Sequence, residues 1–136
     1  MTMLLINPPG SERAYEAFQF SQAVKIGDMI HVSGQVGYGP EGVPDSKEEQ
    51  CRLAFGHIQS VLAAAGATMT DIVSLTSYHT DPSDFDSFKA AQRAYMSENF
   101  PAHTAVGVTS LLMPAFKCEI AAVAVIGSRL PSKAPA

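Results

Sequence analysis

The sequence has no tryptophan, only two cysteines and little charge, and each shortage narrows what the chain can be. Cys51 and Cys118 stand far apart in the chain on faces that read as buried, which suits small apolar fillers in a reducing compartment and not a disulfide framework. No stretch approaches the roughly 18 apolar residues of a membrane span. Met3 to Ile6 is too short for the apolar part of a signal peptide and has no basic segment before it, so the expected location is the cytoplasm, without a membrane partner. Nine lysines and arginines are scattered from Arg13 to Lys133 against a net charge of -4, a distribution that argues against nucleic acid as a partner. The four histidines, His31, His57, His79 and His103, show no i,i+4 pairing on a helix and no Cys-x-x-Cys companion, so no metal is expected. A Gly-x-Ser-x-Gly elbow and a phosphate-cradling Gly-x-x-x-x-Gly-Lys motif are both missing. Gly37-Tyr38-Gly39 begins a dinucleotide fingerprint but lacks its third glycine and the helix behind it.

What is present is a chain with 46% hydrophobic and 16% charged residues, the composition of a globular protein with one core. Residues 1–136 read as a single domain, partly irregular over 1–17 and ending in a flexible tail over 128–136. A short edge strand at Met3 to Ile6 precedes a turn at Asn7-Pro8-Pro9-Gly10. Phe18 to Ile26 and Met29 to Val36 form a hairpin about Gly27-Asp28. Gly34, inside the second strand, marks a bulge or the close approach of another group. After the loop Gly37 to Pro44, Asp45 or Ser46 caps a helix with Cys51, Ala54, Phe55, Ile58, Val61, Leu62 and Ala65 at helical spacing, closed by Gly66. Ile72 to Thr80 is the next strand. Ser83 or Asp84 then opens a second helix, which has Phe85, Phe88, Ala91, Gln92 and Tyr95 on one face and stops before Phe100-Pro101.

The closing stretch, Pro101 to Ile126, reads as a hairpin of His103 to Thr109 with Phe116 to Ile126, broken by Met113-Pro114. Along its second arm, Cys118, Ile120, Ala122, Ala124 and Ile126 face one way and Glu119, Ala121, Val123 and Val125 the other. Both faces are apolar, so the sheet should be covered on both sides. The exception, Glu119, needs a partner or a use in such a place, and His103 is the nearest candidate to stand beside it. The order of elements predicts an α+β fold with a mixed sheet and two helices on one face. The other face needs a second subunit, which predicts a closed homo-oligomer.

Several segments resemble one family together. They are Phe20-Ser21-Gln22-Ala23-Val24, Gly27-Asp28 with Val32-Ser33-Gly34-Gln35, Ala64-Ala65-Gly66 with Asp71-Ile72-Val73, Pro101-Ala102, and Cys118-Glu119-Ile120. Their joint spacing is similar to that of the RidA/YjgF family, from about Phe18 to Ile126. Ser33-Gly34-Gln35-Val36-Gly37, Tyr78-His79-Thr80-Asp81-Pro82 and Thr104-Ala105-Val106-Gly107-Val108-Thr109 look closer still to its YjgH branch, also called RutC-type.

The resemblance implies a chorismate-mutase-like homotrimer with three clefts between subunits. In the deaminase branch, those clefts hydrolyse enamines and imines such as 2-aminoacrylate without a cofactor. Carried over residue by residue, the glutamate that handles water is Glu119, and Ser33 and Gly34 line the cleft. The position of the carboxylate-binding arginine holds His103, a tyrosine position holds Phe20, and the small or thiol position two residues on holds Ala105. Lys89 falls where the family often has a cleft-side asparagine, and from its place on the second helix it points either toward the subunit boundary or into solvent. Because histidine cannot grip a carboxylate as arginine does, the expected substrate is a small metabolite other than 2-aminoacrylate. The alternatives are a non-catalytic trimer that binds a metabolite and, more weakly supported, the endoribonuclease or translation-inhibitor role attached to the family.

Overall fold

The computed structural model describes residues 2–128, so the tail expected over 128–136 lies, apart from Ser128, outside the described residues. Six strands and three helices follow one another as β1 (Met3–Ile6), α1 (Glu12–Phe18), β2 (Ala23–Ile26), β3 (Met29–Val36), α2 (Lys47–Ala64), β4 (Ile72–His79), α3 (Phe85–Tyr95), β5 (Ala102–Gly107) and β6 (Cys118–Val125). The strands make one sheet in the order β1-β2-β3-β6-β4-β5. All neighbours are antiparallel except β4 and β5.

That order corrects the expected closing hairpin. β5 does not pair with β6; it lies parallel to β4 at the edge, and β6 runs between β3 and β4. The physical reason is in the elements themselves. Parallel strands need a long crossover, which α3 supplies between β4 and β5. A strand apolar on both faces belongs at the centre of a sheet, whereas β5, with His103, Thr104 and Ala105 exposed, suits an edge.

α2 starts where the Ser46 side chain accepts a hydrogen bond from the Glu49 amide. At its far end, Lys25 Nζ donates to the Ala65 carbonyl at 2.9 Å and places a cation at the negative end of the helix dipole. Its stripe of Cys51, Ala54, Phe55, Ile58, Val61 and Leu62 packs with Phe88 and Ala91 of α3 onto Ile30, Val32, Leu75, Ile120, Ala122 and Ala124 of the sheet. Both long helices therefore cover one face, as expected. The opposite face carries half-buried Glu119, Ala121, Val123 and Val125 with exposed His31 and Met29.

The strand expected from Phe18 starts later. α1 forms over Glu12–Phe18, buries no side chain and ends at Gln19 in the left-handed region, so β2 begins only at Ala23. A helix with no buried stripe leaves no apolar period to read. The cysteines are buried as expected, and although 67 positions separate them in the chain their sulfurs lie 2.8 Å from one another across the α2–β6 contact. Hydrogen bonding to Cys118 first and burial second push the Cys51 thiol far up, which leaves it without nucleophilic thiolate.

Candidate active site

The sheet divides the expected site residues into two groups. The first gathers around a bulge in β3. Val32 pairs with Ala122 and Gln35 with Ile120, so Ser33 and Gly34 together oppose Ala121 alone. The extra residue brings the backbone at Gly34 against the next residue of β6 on that face. A Cβ on Gly34 would stand 2.6 Å from Glu119 Oε2, so glycine there makes room for the carboxylate. The Ser33 hydroxyl donates to the Ser21 carbonyl at 2.7 Å, which ties the bulge to the segment carrying Phe20, itself 37% exposed. Glu119 makes no hydrogen bond or ion pair among the described residues. Burial pushes its pKa up, the shift that suits a carboxyl group to exchanging protons with water.

The second group lies across the sheet. His103 pairs with Leu75 while Glu119 pairs with Tyr78, so the two side chains belong to opposite faces and their strands are separated by β4. The expected neighbourhood of His103 and Glu119 is therefore absent within one chain. Among the described residues no carboxylate raises the pKa of His103, and desolvation of the packed part of its ring lowers it, favouring the neutral form. The imidazole stacks on Phe88 and Phe85, with centroids 5.1 and 5.9 Å away.

His103 is also tied to two residues that the sequence reading did not single out for the site. The Ser77 hydroxyl lies 2.7 Å from His103 Nε2 and 2.7 Å from His79 Nε2. A hydroxyl has one proton and two lone pairs, so it can donate to at most one of the two imidazoles and at least one of them donates to it. His79 is 1% exposed and its Nδ1 has no partner among the described residues. Buried N–H groups are rarely left unpaired, so the proton of His79 sits on Nε2 and points at Ser77. The signal for this chain was available: Ser77 and His79 alternate with Leu75 on the face that packs against the helices, where polar residues are out of place.

Beside His103, a cavity of about 270 Å³ opens between α3 and the start of β5. Phe85, Phe100, Pro101 and His103 line its apolar part, and Lys89, Gln92 and Arg93 its polar part. Lys89 thus shares a cavity with His103, and it is ion-paired at 3.2 Å with Asp86. Ala105 follows His103 on the same side of β5 and is exposed. Among the described residues, no three His, Cys, Asp or Glu side chains are grouped to hold a metal ion, and no helix is long and apolar enough to cross a membrane.

The same arrangement of strands and helices is found in known proteins. Residues 11–126 match the family model described as endoribonuclease L-PSP. The RutC family protein YjgH of Escherichia coli is 39% identical over 120 residues, covering 86% of this chain and 90% of that protein. The chain belongs to the RidA/YjgF family. A solved structure of protein YjgH superposes with a TM-score of 0.81 at 38% identity, over 93% of this chain and 98% of the other. RidA from a Psychrobacter species gives a TM-score of 0.74 at 34% identity, over 79% and 88%. The human protein named 2-iminobutanoate/2-iminopropanoate deaminase is 33% identical over 111 residues, 79% of this chain and 80% of its own length.

Proposed function

We propose that the chain is a hydrolase of small enamines or imines, working without a cofactor in clefts between the subunits of a homotrimer. The observation that carries this reading is the division of the site by the sheet. Glu119 with Ser33, Gly34 and Phe20 forms one half, His103 with Lys89 and Ala105 the other, and only a second chain can bring the two together. Relatives named as deaminases support the chemistry. In that reaction an enamine tautomerises to an imine, and water guided by Glu119 adds to the C=N carbon. The C–N bond then breaks, leaving a carbonyl compound and ammonia. With a neutral His103 where the family's arginine stands, 2-aminoacrylate is a poor substrate.

Ammonia release from freshly generated 2-aminoacrylate, compared for the native protein, Glu119→Gln and His103→Arg, tests this directly. The native rate should be low and His103→Arg should raise it. On a confirmed substrate, Glu119→Gln should cost about 10²- to 10⁴-fold in turnover, the usual worth of a general acid or base, with the oligomer unchanged. A Gln variant at full rate would overturn the assignment.

The loss of the tyrosine hydroxyl at Phe20 and of the arginine at His103 favours one second reading, a trimer that binds a metabolite without turning it over. Thermal stabilisation by an imine analogue without ammonia release would decide for it. The endoribonuclease role has the least support, because the net charge is -4 and the basic residues form no stripe along the chain.

A further inference from the structure

We propose that the cavity beside His103 takes a ligand with a single anionic group and an apolar body the size of an aryl ring, and that Arg93 is the anion's anchor. The inference rests on the reading that this cavity is one half of the reaction cleft, and it adds the class of molecule the cleft admits. Phe85, Lys89, Gln92 and Arg93 recur at i, i+4, i+7 and i+8, so one stripe of α3 serves the cavity while Phe88 and Ala91 serve the core. Of the cations on that stripe, Lys89 is already paired with Asp86, and Arg93 has no ion pair among the described residues.

His103 is a poorer partner for an anion than Arg93. Its Nε2 is engaged by Ser77, which leaves a single ring nitrogen, and desolvation of the ring favours its neutral form. Arg93 is always charged and offers a planar fork that matches a carboxylate. The positive group has therefore moved from the edge strand to the last turn of the helix beside it, and the anion must sit farther from the strand. A volume of 270 Å³ has room for roughly nine water-sized groups, more than 2-aminoacrylate needs. Phe85, Phe100 and Pro101 supply the apolar lining for that extra body, and Phe100 is 62% exposed.

Calorimetric binding of three stable probes to the native oligomer tests the proposal: phenylpyruvate, pyruvate, and neutral phenylacetone. Phenylpyruvate should bind at least about tenfold more tightly than pyruvate. Arg93→Gln should weaken phenylpyruvate by about ten- to hundredfold, the worth of a charge-assisted contact, while leaving phenylacetone unchanged. Arg93→Lys should keep part of the affinity. Equal binding of phenylpyruvate to native and Arg93→Gln protein, or pyruvate as tight as phenylpyruvate, would overturn the proposal. The two readings fail separately. Binding through Arg93 without any Glu119-dependent ammonia release would remove the hydrolase and leave the anchor. Glu119-dependent turnover with no effect of Arg93→Gln on binding would do the reverse.

Discussion

His79 is the residue through which acid reaches the fold. Burial first, then the charge of Lys47 and the neighbouring His103, lower its pKa from 6.5 to about 4. Between those values the unfolded chain binds a proton that the folded chain refuses, so stability rises with pH there and is lost as pH falls from about 6.5 towards 4. Full loss amounts to roughly 3 kcal/mol. Urea midpoints at pH 7.5 and 4.5 should differ accordingly, and His79→Gln should flatten the difference. Glu119 acts with the opposite sign. Its pKa is raised in the fold, so its contribution is present below the unfolded value and fades as pH rises. Comparing the native protein with the His79 variant separates the two.

At the scale of elements, two glycines of one segment should respond differently to alanine. A Cβ at Gly37 would lie 1.9 Å from the Gln50 carbonyl oxygen of α2, which is backbone and cannot yield, so Gly37→Ala should cost about 1 to 3 kcal/mol or more in a denaturant titration. At Gly34 the obstacle is the end of the Glu119 side chain, which can swing aside. Gly34→Ala should therefore leave the melting temperature nearly unchanged and lower turnover by displacing the carboxylate. Elements with a strong period were readable from the residues alone: α2 from its apolar stripe and glycine cap, the bulge from Gly34 inside a strand pattern. Which strand neighbours which was not, because pairing depends on residues far apart in the chain. β6 did carry the hint, being apolar on both faces as a central strand must be. Of the candidate site, Gly34 inside a strand pattern signalled the close approach that Glu119 supplies, whereas Ser77, His79 and Arg93 reach His103 only when β4, α3 and β5 come together.

At the scale of the whole molecule, the half-buried Val123, set between His31 and Ser74 on the face without helices, is the place to test the proposed trimer. Sedimentation at micromolar concentration should give three chains of 14.4 kDa, and Val123→Asp should give one. A native mass of one chain would remove both the trimer and the shared cleft. The position of β6 also bears on the order of events during synthesis. The strand that joins β1-β2-β3 to β4-β5 is the last of the six to be made. Until it emerges from the ribosome, β3 and β4 each present a bare inner edge, and bare edges pair readily with those of other nascent chains. The sheet is therefore closed late, by its most distant contacts, and slow folding with exposure to aggregation follows from the topology.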